Sequence, residues 1–584
     1  MEGVVDEVHA GAARVASRPV WSPLAEVGAL VALAALAGSM IAIRLDAPAF
    51  FDNEGRYAEV AREMLVRRDW VTPELDQILF LNKPPLLYWL TALGFHLLGG
   101  PTEWVRLVTV AMGMLTLVAT GRLGTRLYGA PTGLLAALLF ATSMGFALEA
   151  RTLRPDSILI TSVTVAILCW LNAEAFPARR TPWLVAMYVV LGLGVLAKGL
   201  VPVVVAAIPI GLATLRWHGW SGIAALRPGL GLAVLAVVVL PWHVVIALRH
   251  PGFAWDYVVN QHLLFFLDRK LPRDSEGDPL AFFWGSLVAR SAPWILFAPL
   301  TAREAIAGVR GARDPHARAA LVLWAWAGGL MLFFSLAPSR LEHYVLPATP
   351  GVALLAARGW MRLRDGDAGR WVWGYLGAVA IAMLLLGIVG LGAGQTLLGR
   401  AYWISEVPAL LGLVVPAGAV MLVGGTLCAV AVTRQWPRLV LVGLAASAVA
   451  MVGIVLRAEA FAEPLFSWRP LAQVVAGVPP GTDIVFEAPE EYQIVGGLAY
   501  YTGRHITLLE VPEFVPPGYL TEQAKTMFLP RAEFERRWQA GVPQVFVSDS
   551  QRRRDTPDGL VPGAFQVLAH FGDRWVLTNA ADTR

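Results

Sequence analysis

Residues 85–99, PLLYWLTALGFHLLG, are apolar enough to enter a bilayer and too short to cross one. Fifteen residues rising about 1.5 Å each reach about 22 Å, against a hydrocarbon core of about 30 Å. Whether this stretch crosses decides the side on which every later loop falls.

Around it the chain is dominated by longer apolar runs. Of 584 residues, 56% are hydrophobic and 15% charged, which excludes an ordinary soluble domain and predicts a polytopic α-helical membrane protein. Runs near 27–43, 104–121, 131–149, 157–174, 183–197, 200–216, 228–248, 281–300, 319–336, 344–358, 371–393, 407–432 and 439–456 predict about 13 transmembrane helices. The opening MEGVVDEVHAGAARVASRPVWSP is too long and too mixed in charge for a signal-peptide n-region, so the first run is expected to stay as a span. Cys169 and Cys428 both lie in apolar runs, and no disulfide is expected. A net charge of +4 does not imply nucleic acid; its placement reports topology.

If 85–99 does not cross, Arg122 and Arg126, Arg179 and Arg180, Arg216 and Arg227, Arg303 to Arg318, Arg358 to Arg370, and Arg434 with Arg438 share a side with Arg14 and Arg18. The positive-inside rule makes that side the cytoplasm, whereas a crossing would reverse the asymmetry. The stretch therefore reads as a short re-entrant or interfacial helix. The transmembrane domain is expected over 1–456, with loops 44–103 and 249–280 on the outer face. From 457 the runs stop, and TDIVFEA, HITLLEV, PQVFVSD and FQVLAHFGDRWVLTN read as buried strands of an extracytoplasmic α/β domain, 457–584.

This topology gathers ionisable groups on one face: Asp52, Asn53, Glu54, Arg56, Tyr57 and Lys83, then Arg151, Arg154 and Asp156, then Lys198, His262, and the SRLEHY stretch. Wet loops are charged for bland reasons, but a lysine inside VLAKGLVP is not a loop residue, and charge at a membrane boundary points to function. The segment FDNEGRYAEVAREMLVRRDW, 51–70, carries four arginines and five carboxylates. Tyr57, Val60, Ala61, Met64 and Leu65 recur at helical spacing, as in a helix lying in the interface plane. In NKPP two prolines stiffen the backbone behind Lys83, which suits a phosphate contact or a snorkelling cation. GLGVLA at 192–197 matches a dinucleotide fingerprint formally, but it has no flanking βαβ unit and reads as small-residue helix packing.

In the order NEGRYAEVAREML, NKPPLLYW, LRPDSIL, GVLAKGLV, LPWHVVIA with NQHLLFF, and SRLEHYVLPATP, the chain resembles the GT-C membrane glycosyltransferases that use polyprenyl-phosphate sugars. The likeness is greatest to the lipid A aminoarabinose transferases and more distant to the protein O-mannosyltransferases, and it covers nearly the whole chain. It implies catalytic carboxylates at Glu54, Asp156 and Asp52, and donor-phosphate contacts from Lys83, Arg56, Arg340, Tyr57 and Tyr344. Three departures stand out: Asn53 replaces the family's first acid, Asn82 replaces a carboxylate proposed to partner a metal with the position of His262, and QHLLFF lacks an acid and an arginine. Asn53, Asn82, His262, Glu342 and His343 are thus pocket or metal candidates, with a divalent metal left open and no cofactor required.

The implied reaction is attack by an acceptor on the anomeric carbon of a lipid-linked sugar, with polyprenyl phosphate leaving and inversion in a single displacement. The acceptor is an envelope glycolipid such as lipid A, another glycan, a lipid or a protein. The implied location is a bacterial inner membrane with the N-terminus cytoplasmic and the C-terminal domain periplasmic. A flippase or transporter for lipid-linked sugars, or a non-catalytic binding protein, remains the alternative, although no paired repeat of the transporter kind is visible.

Overall fold

The computed structural model describes residues 22–271, 277–401, 404, 406–487, 492–510, 514–549 and 557–580. Among them ten helices are long and apolar enough to cross a membrane, and an eleventh span is a bent pair. The first is α1 (Pro23–Ala42), capped by the Ser22 hydroxyl on Ala25 N. After α2 (Asp52–Arg67), the hairpin β1 (Glu74–Leu75) and β2 (Ile78–Leu79) leads to α3 (Leu86–Leu98), a short apolar helix of 13 residues where the interfacial helix is expected.

The bundle continues through α4 (Leu107–Tyr128), α5 (Ala130–Ala141), α6 (Met144–Glu149), α7 (Asp156–Ala175), α8 (Arg180–Lys198), α9 (Val201–Ala225) and α10 (Pro228–Arg249). It is completed by α11 (Leu280–Ser291), α12 (Pro315–Ser335), α13 (Thr349–Arg364), α14 (Trp371–Gly392), α15 (Val414–Thr433) and α16 (Pro437–Phe466). Trp170, Trp294 and Trp326 are fully buried in its largest core.

Three of the 13 expected spans are not single long helices. The run 131–149 is cut where Ser143 caps α6, leaving α5 with 12 residues. The run 281–300 bends by 103° ahead of Trp294, where Pro293 removes a backbone donor. The run 344–358 begins as a 3₁₀ helix, Glu342–Ala348, with Pro347 inside it, and only then becomes α13. Hydropathy registers apolar content and is blind to these local breaks.

The change of composition at 457 falls inside α16, which runs on unbroken to Phe466. Beyond it lies a six-stranded sheet ordered β5-β4-β3-β6-β8-β7, built from β3 (Asp483–Glu487), β4 (Thr507–Leu509), β5 (Phe528–Leu529), β6 (Gln544–Asp549), β7 (Gln566–Phe571) and β8 (Arg574–Thr578). β5, β4, β3 and β6 run parallel, with Val485 opposite Phe546, and β8 and β7 close the far edge antiparallel. β3 and β6 are buried along almost their whole length, which explains their continuous apolar runs. The helix after β3, α17 (Val495–Thr502), shares the core of the sheet through Val495, Leu498 and Ala499 and also packs on α2.

Candidate active site

Asp156 and Lys198 form the centre of the polar cluster. Asp156 opens α7 and Lys198 closes α8. The helix can end there because Gly199 adopts φ +67, and a Cβ on it would stand 2.3 Å from His262 Nε2. The Lys198 ammonium consequently donates to the Asp156 carboxylate, with both side chains largely out of solvent. Its nitrogen also lies 5.2 Å from the centre of the Tyr344 ring. Arg154 is a further positive neighbour of Asp156, with the His343 imidazole close by, and Tyr344 is in electrostatic reach of Tyr57 on α2.

The cluster extends through Glu342. Arg290 Nη2 donates to its Oε1 at 3.0 Å, His343 Nδ1 lies 3.0 Å from its Oε2, and its backbone N–H donates to Asp278 at 2.5 Å. Glu149, the last residue of α6, is buried beside Asp156, Arg154, Arg290 and Lys198, with Oε1 lacking a hydrogen-bond partner among the described residues. Arg340 donates Nη1 to Ala337 O at 2.8 Å, while its buried Nε has no partner among the described residues. An orphaned guanidinium N–H of this kind fits an oxyanion.

Glu54 is placed differently from the reading as a base. Its Oε1 accepts from Arg106 Nε and Leu153 N, both at 2.8 Å, and its Oε2 accepts from Arg106 Nη2 at 2.6 Å and Phe51 N at 3.1 Å. Burial pushes this carboxyl up, but Arg106 and the two backbone donors outweigh it and hold the group below its ordinary value. Four donors leave no open lone pair for an acceptor proton. Arg106 also donates to Leu45, Pro48 and Ala49 carbonyls, and Arg151 to those of Ile41, Ile43, Arg44 and Ala47. Two arginines thereby fasten the segment that delivers α2.

Asn53 and Arg56 are partners, and Arg56 Nη1 also donates to Gln493 Oε1 at 2.5 Å. Tyr57 lies against Tyr88. Lys83 is half-buried and close enough to His262 to disfavour its protonation, after burial, which dominates. The Asp52 side chain lies outside the described residues.

The metal reading does not fit these residues. His262 Nδ1 donates to Tyr257 O at 2.6 Å and its Nε2 accepts from Leu200 N at 3.2 Å, so both ring nitrogens face backbone. Asn82 Oδ1 accepts from Tyr519 Oη at 2.8 Å. Among the described residues no group of three or more His, Cys, Asp or Glu side chains could hold a metal ion.

The fold therefore brings Asp156, Tyr344, Glu342 and His343 together, with Tyr57 within electrostatic reach. It sets Glu54 in a separate buried pair, turns Arg56 and Asn82 toward the C-terminal segment, and leaves Asn53 exposed beside Arg56. Sequence reasoning missed Glu149, Arg290 and Arg106. Glu149 and Arg290 each carry charge within an apolar run, and that was their available signal. Arg106 opens such a run, where a charge reads as an ordinary boundary residue.

The helical bundle with its C-terminal sheet and buried polar cluster is the architecture of a polytopic membrane protein. Residues 82–244 match the family described as dolichyl-phosphate-mannose-protein mannosyltransferase. The undecaprenyl phosphate-α-4-amino-4-deoxy-L-arabinose arabinosyl transferase 1 of Sodalis glossinidius (strain morsitans) is 30% identical over 399 residues, 66% of this chain and 67% of that protein. The corresponding transferase of Enterobacter sp. (strain 638) is 28% identical over 352 residues, 57% of this chain and 60% of that protein. The crystal structure of ArnT from Cupriavidus metallidurans bound to undecaprenyl phosphate superposes with a TM-score of 0.75 at 24% identity, covering 95% of this chain and 99% of that one. The chain belongs to the family of undecaprenyl phosphate-aminoarabinose arabinosyl transferases, and is a multi-pass inner-membrane protein. Its alignments span about 60% of the length of the first curated relatives.

Proposed function

We propose that the protein transfers a sugar from a polyprenyl-phosphate donor to an envelope acceptor, a lipid A-like glycolipid, another glycan, a lipid or a protein, at the outer face of the inner membrane. The observation that carries this reading is the Asp156–Lys198 pair set against Tyr344, His343 and Glu342. It gives a carboxylate, a cation and a phenol in one buried cluster, next to the half-free guanidinium of Arg340.

In the reaction the acceptor oxygen bonds to the anomeric carbon while the bond from that carbon to the donor phosphate breaks, so the polyprenyl phosphate leaves with the electron pair. Lys83 and Arg340 take up the charge developing on that phosphate, while Arg56, held by Asn53 and Gln493, stays beside Tyr57. Asp156 orients a hydroxyl acceptor and accepts its proton, a contribution of roughly 10²- to 10⁴-fold. Lys198 holds the Asp156 carboxylate in place until the acceptor arrives. Glu54 keeps α2 in place, and Tyr57 and Tyr344 line the sugar pocket.

The distribution of arginines supports a cytoplasmic N-terminus and an extracytoplasmic C-terminal domain, 457–584, with the cluster on the outer side. A transfer assay tests the reading: full-length protein in nanodiscs, a panel of polyprenyl-phosphate sugars, membrane extract as acceptor, and Lys83→Ala as control. Lipid-phosphate release that vanishes in the control supports it. Donor binding without turnover would return the weight to transport or binding.

A further inference from the structure

Helices α15 and α16 are packed together along part of their length and splay apart further on. A Cβ on Gly424 would stand 1.9 Å from Ser447 Oγ, and one on Gly443 3.3 Å from Cys428 Sγ. Beyond that contact a Cβ on Gly453 of α16, or on Gly412 just before α15, would meet nothing within 4 Å. The result is a cleft of about 500 Å³, with Gly412 and Pro416 on one wall and Ala450, Gly453 and Ile454 on the other. That volume is within the range of ligand sites.

One charge stands at the cleft. Arg457 is exposed, its guanidinium lies 5.4 Å from the Phe461 ring centre, and it makes no ion pair among the described residues. Positions 450, 453, 454, 457 and 461 share one helix face, so the cation sits above the apolar slot. Arg438, at the start of the same helix, is nineteen residues away, or about 28 Å. That separation matches a hydrocarbon core of about 30 Å, which sets the two arginines at opposite membrane boundaries. The slot then occupies acyl depth, and Arg457 occupies headgroup depth. Among the described residues no carboxylate lines the cleft to receive a cationic headgroup. Glu463, on another face of the helix, is engaged with Ala49 N and Arg469.

We propose that this cleft is a site for one anionic phospholipid of the surrounding leaflet, its phosphate on Arg457 and an acyl chain along Gly453, Ile454 and Pro416. The site is separate from the cluster around Asp156 and does not depend on the function proposed for that cluster.

The test is native mass spectrometry of the full-length protein, delipidated in detergent and titrated with phosphatidylglycerol, phosphatidylcholine or undecaprenyl phosphate. Wild type is expected to retain one phosphatidylglycerol. Arg457→Ala weakens retention roughly fivefold, the worth of one basic residue at an anionic surface. Gly453→Phe, whose ring fills open space in the cleft, abolishes it. Arg457→Lys retains most of it, which separates charge from general damage. Equal retention of phosphatidylglycerol by all variants, or of phosphatidylcholine by wild type, would overturn the proposal. So would displacement of phosphatidylglycerol by undecaprenyl phosphate at lower concentration, which would assign the cleft to a polyprenyl lipid.

Discussion

Arg106 holds Glu54 through two guanidinium nitrogens, at 2.8 and 2.6 Å, with both side chains almost fully buried. The pair closes the junction between α2 and the loop ahead of α7, because the same carboxylate receives Leu153 N. Glu54→Gln leaves a buried arginine uncompensated and is expected to destabilise the protein by about 3–5 kcal/mol, read as a loss of thermal stability in detergent. Glu54→Leu combined with Arg106→Met should recover much of that loss. Because the folded-state carboxyl titrates below its ordinary value, the pair's contribution is complete above about 4.5 and disappears as pH falls through the lowered value. A Glu54→Gln protein as stable as wild type at pH 7 would remove the holding role.

Asp156→Asn keeps the shape of the cluster and removes its proton acceptor. Transfer to a hydroxyl acceptor is expected to slow by roughly 10²- to 10⁴-fold with donor affinity little changed. Single-turnover kinetics beside a donor-binding titration separate the two effects. Lys198→Ala, which leaves Asp156 buried and unpaired, should lose stability as well as rate. A fully active Asp156→Asn enzyme would move the role to Glu149.

The contact between α2 and the C-terminal segment is expected to weaken as pH rises. Burial, and then Glu59, push Glu63 up to about 8; burial also raises Glu59 and Asp76, and Asp76 raises His505. Arg62 on the same helix is the compensating cation. With folded values raised, the stabilisation of the carboxyls is complete below their ordinary values and is lost as pH climbs toward about 8; His505 adds to the loss in the same direction. Glu63→Gln should leave stability unchanged near pH 5 and raise it at pH 9 by on the order of 1–3 kcal/mol, measured by thermal unfolding across pH. A pH profile identical to wild type would discard the idea.

Gly55 and Gly497 meet backbone to backbone: a Cβ on Gly55 would lie 2.7 Å from Gly497 Cα, and one on Gly497 would lie 2.5 Å from Trp468 Cδ1. Gly497→Ala is expected to cost about 1–3 kcal/mol through overpacking. It should also lower the turnover rate by shifting α2, which carries Tyr57. The paired readouts are unfolding and turnover. Loss of stability with undiminished turnover would make the contact purely structural.

Much of this molecule was readable without coordinates. Apolar runs located the helices because the hydrophobic signal is local and repeats along the chain, and the short α3 stood out for its length alone. The breaks at Ser143, Pro293 and Pro347 escaped because they change backbone geometry without changing hydropathy.

The sequence by itself determined which ionisable residues are available at the membrane boundary and the order of its motifs, since charge in a membrane protein is sparse and each instance is conspicuous. Only the tertiary structure decided which of them work together. Glu54 met Arg106 across 52 positions, Asn82 met Tyr519 across 437, and Asp156 met Lys198 across 42. Hydropathy is a property of neighbouring residues. The partner of a buried charge is set by which helix ends the packed bundle brings within hydrogen-bond reach, and no local pattern encodes that.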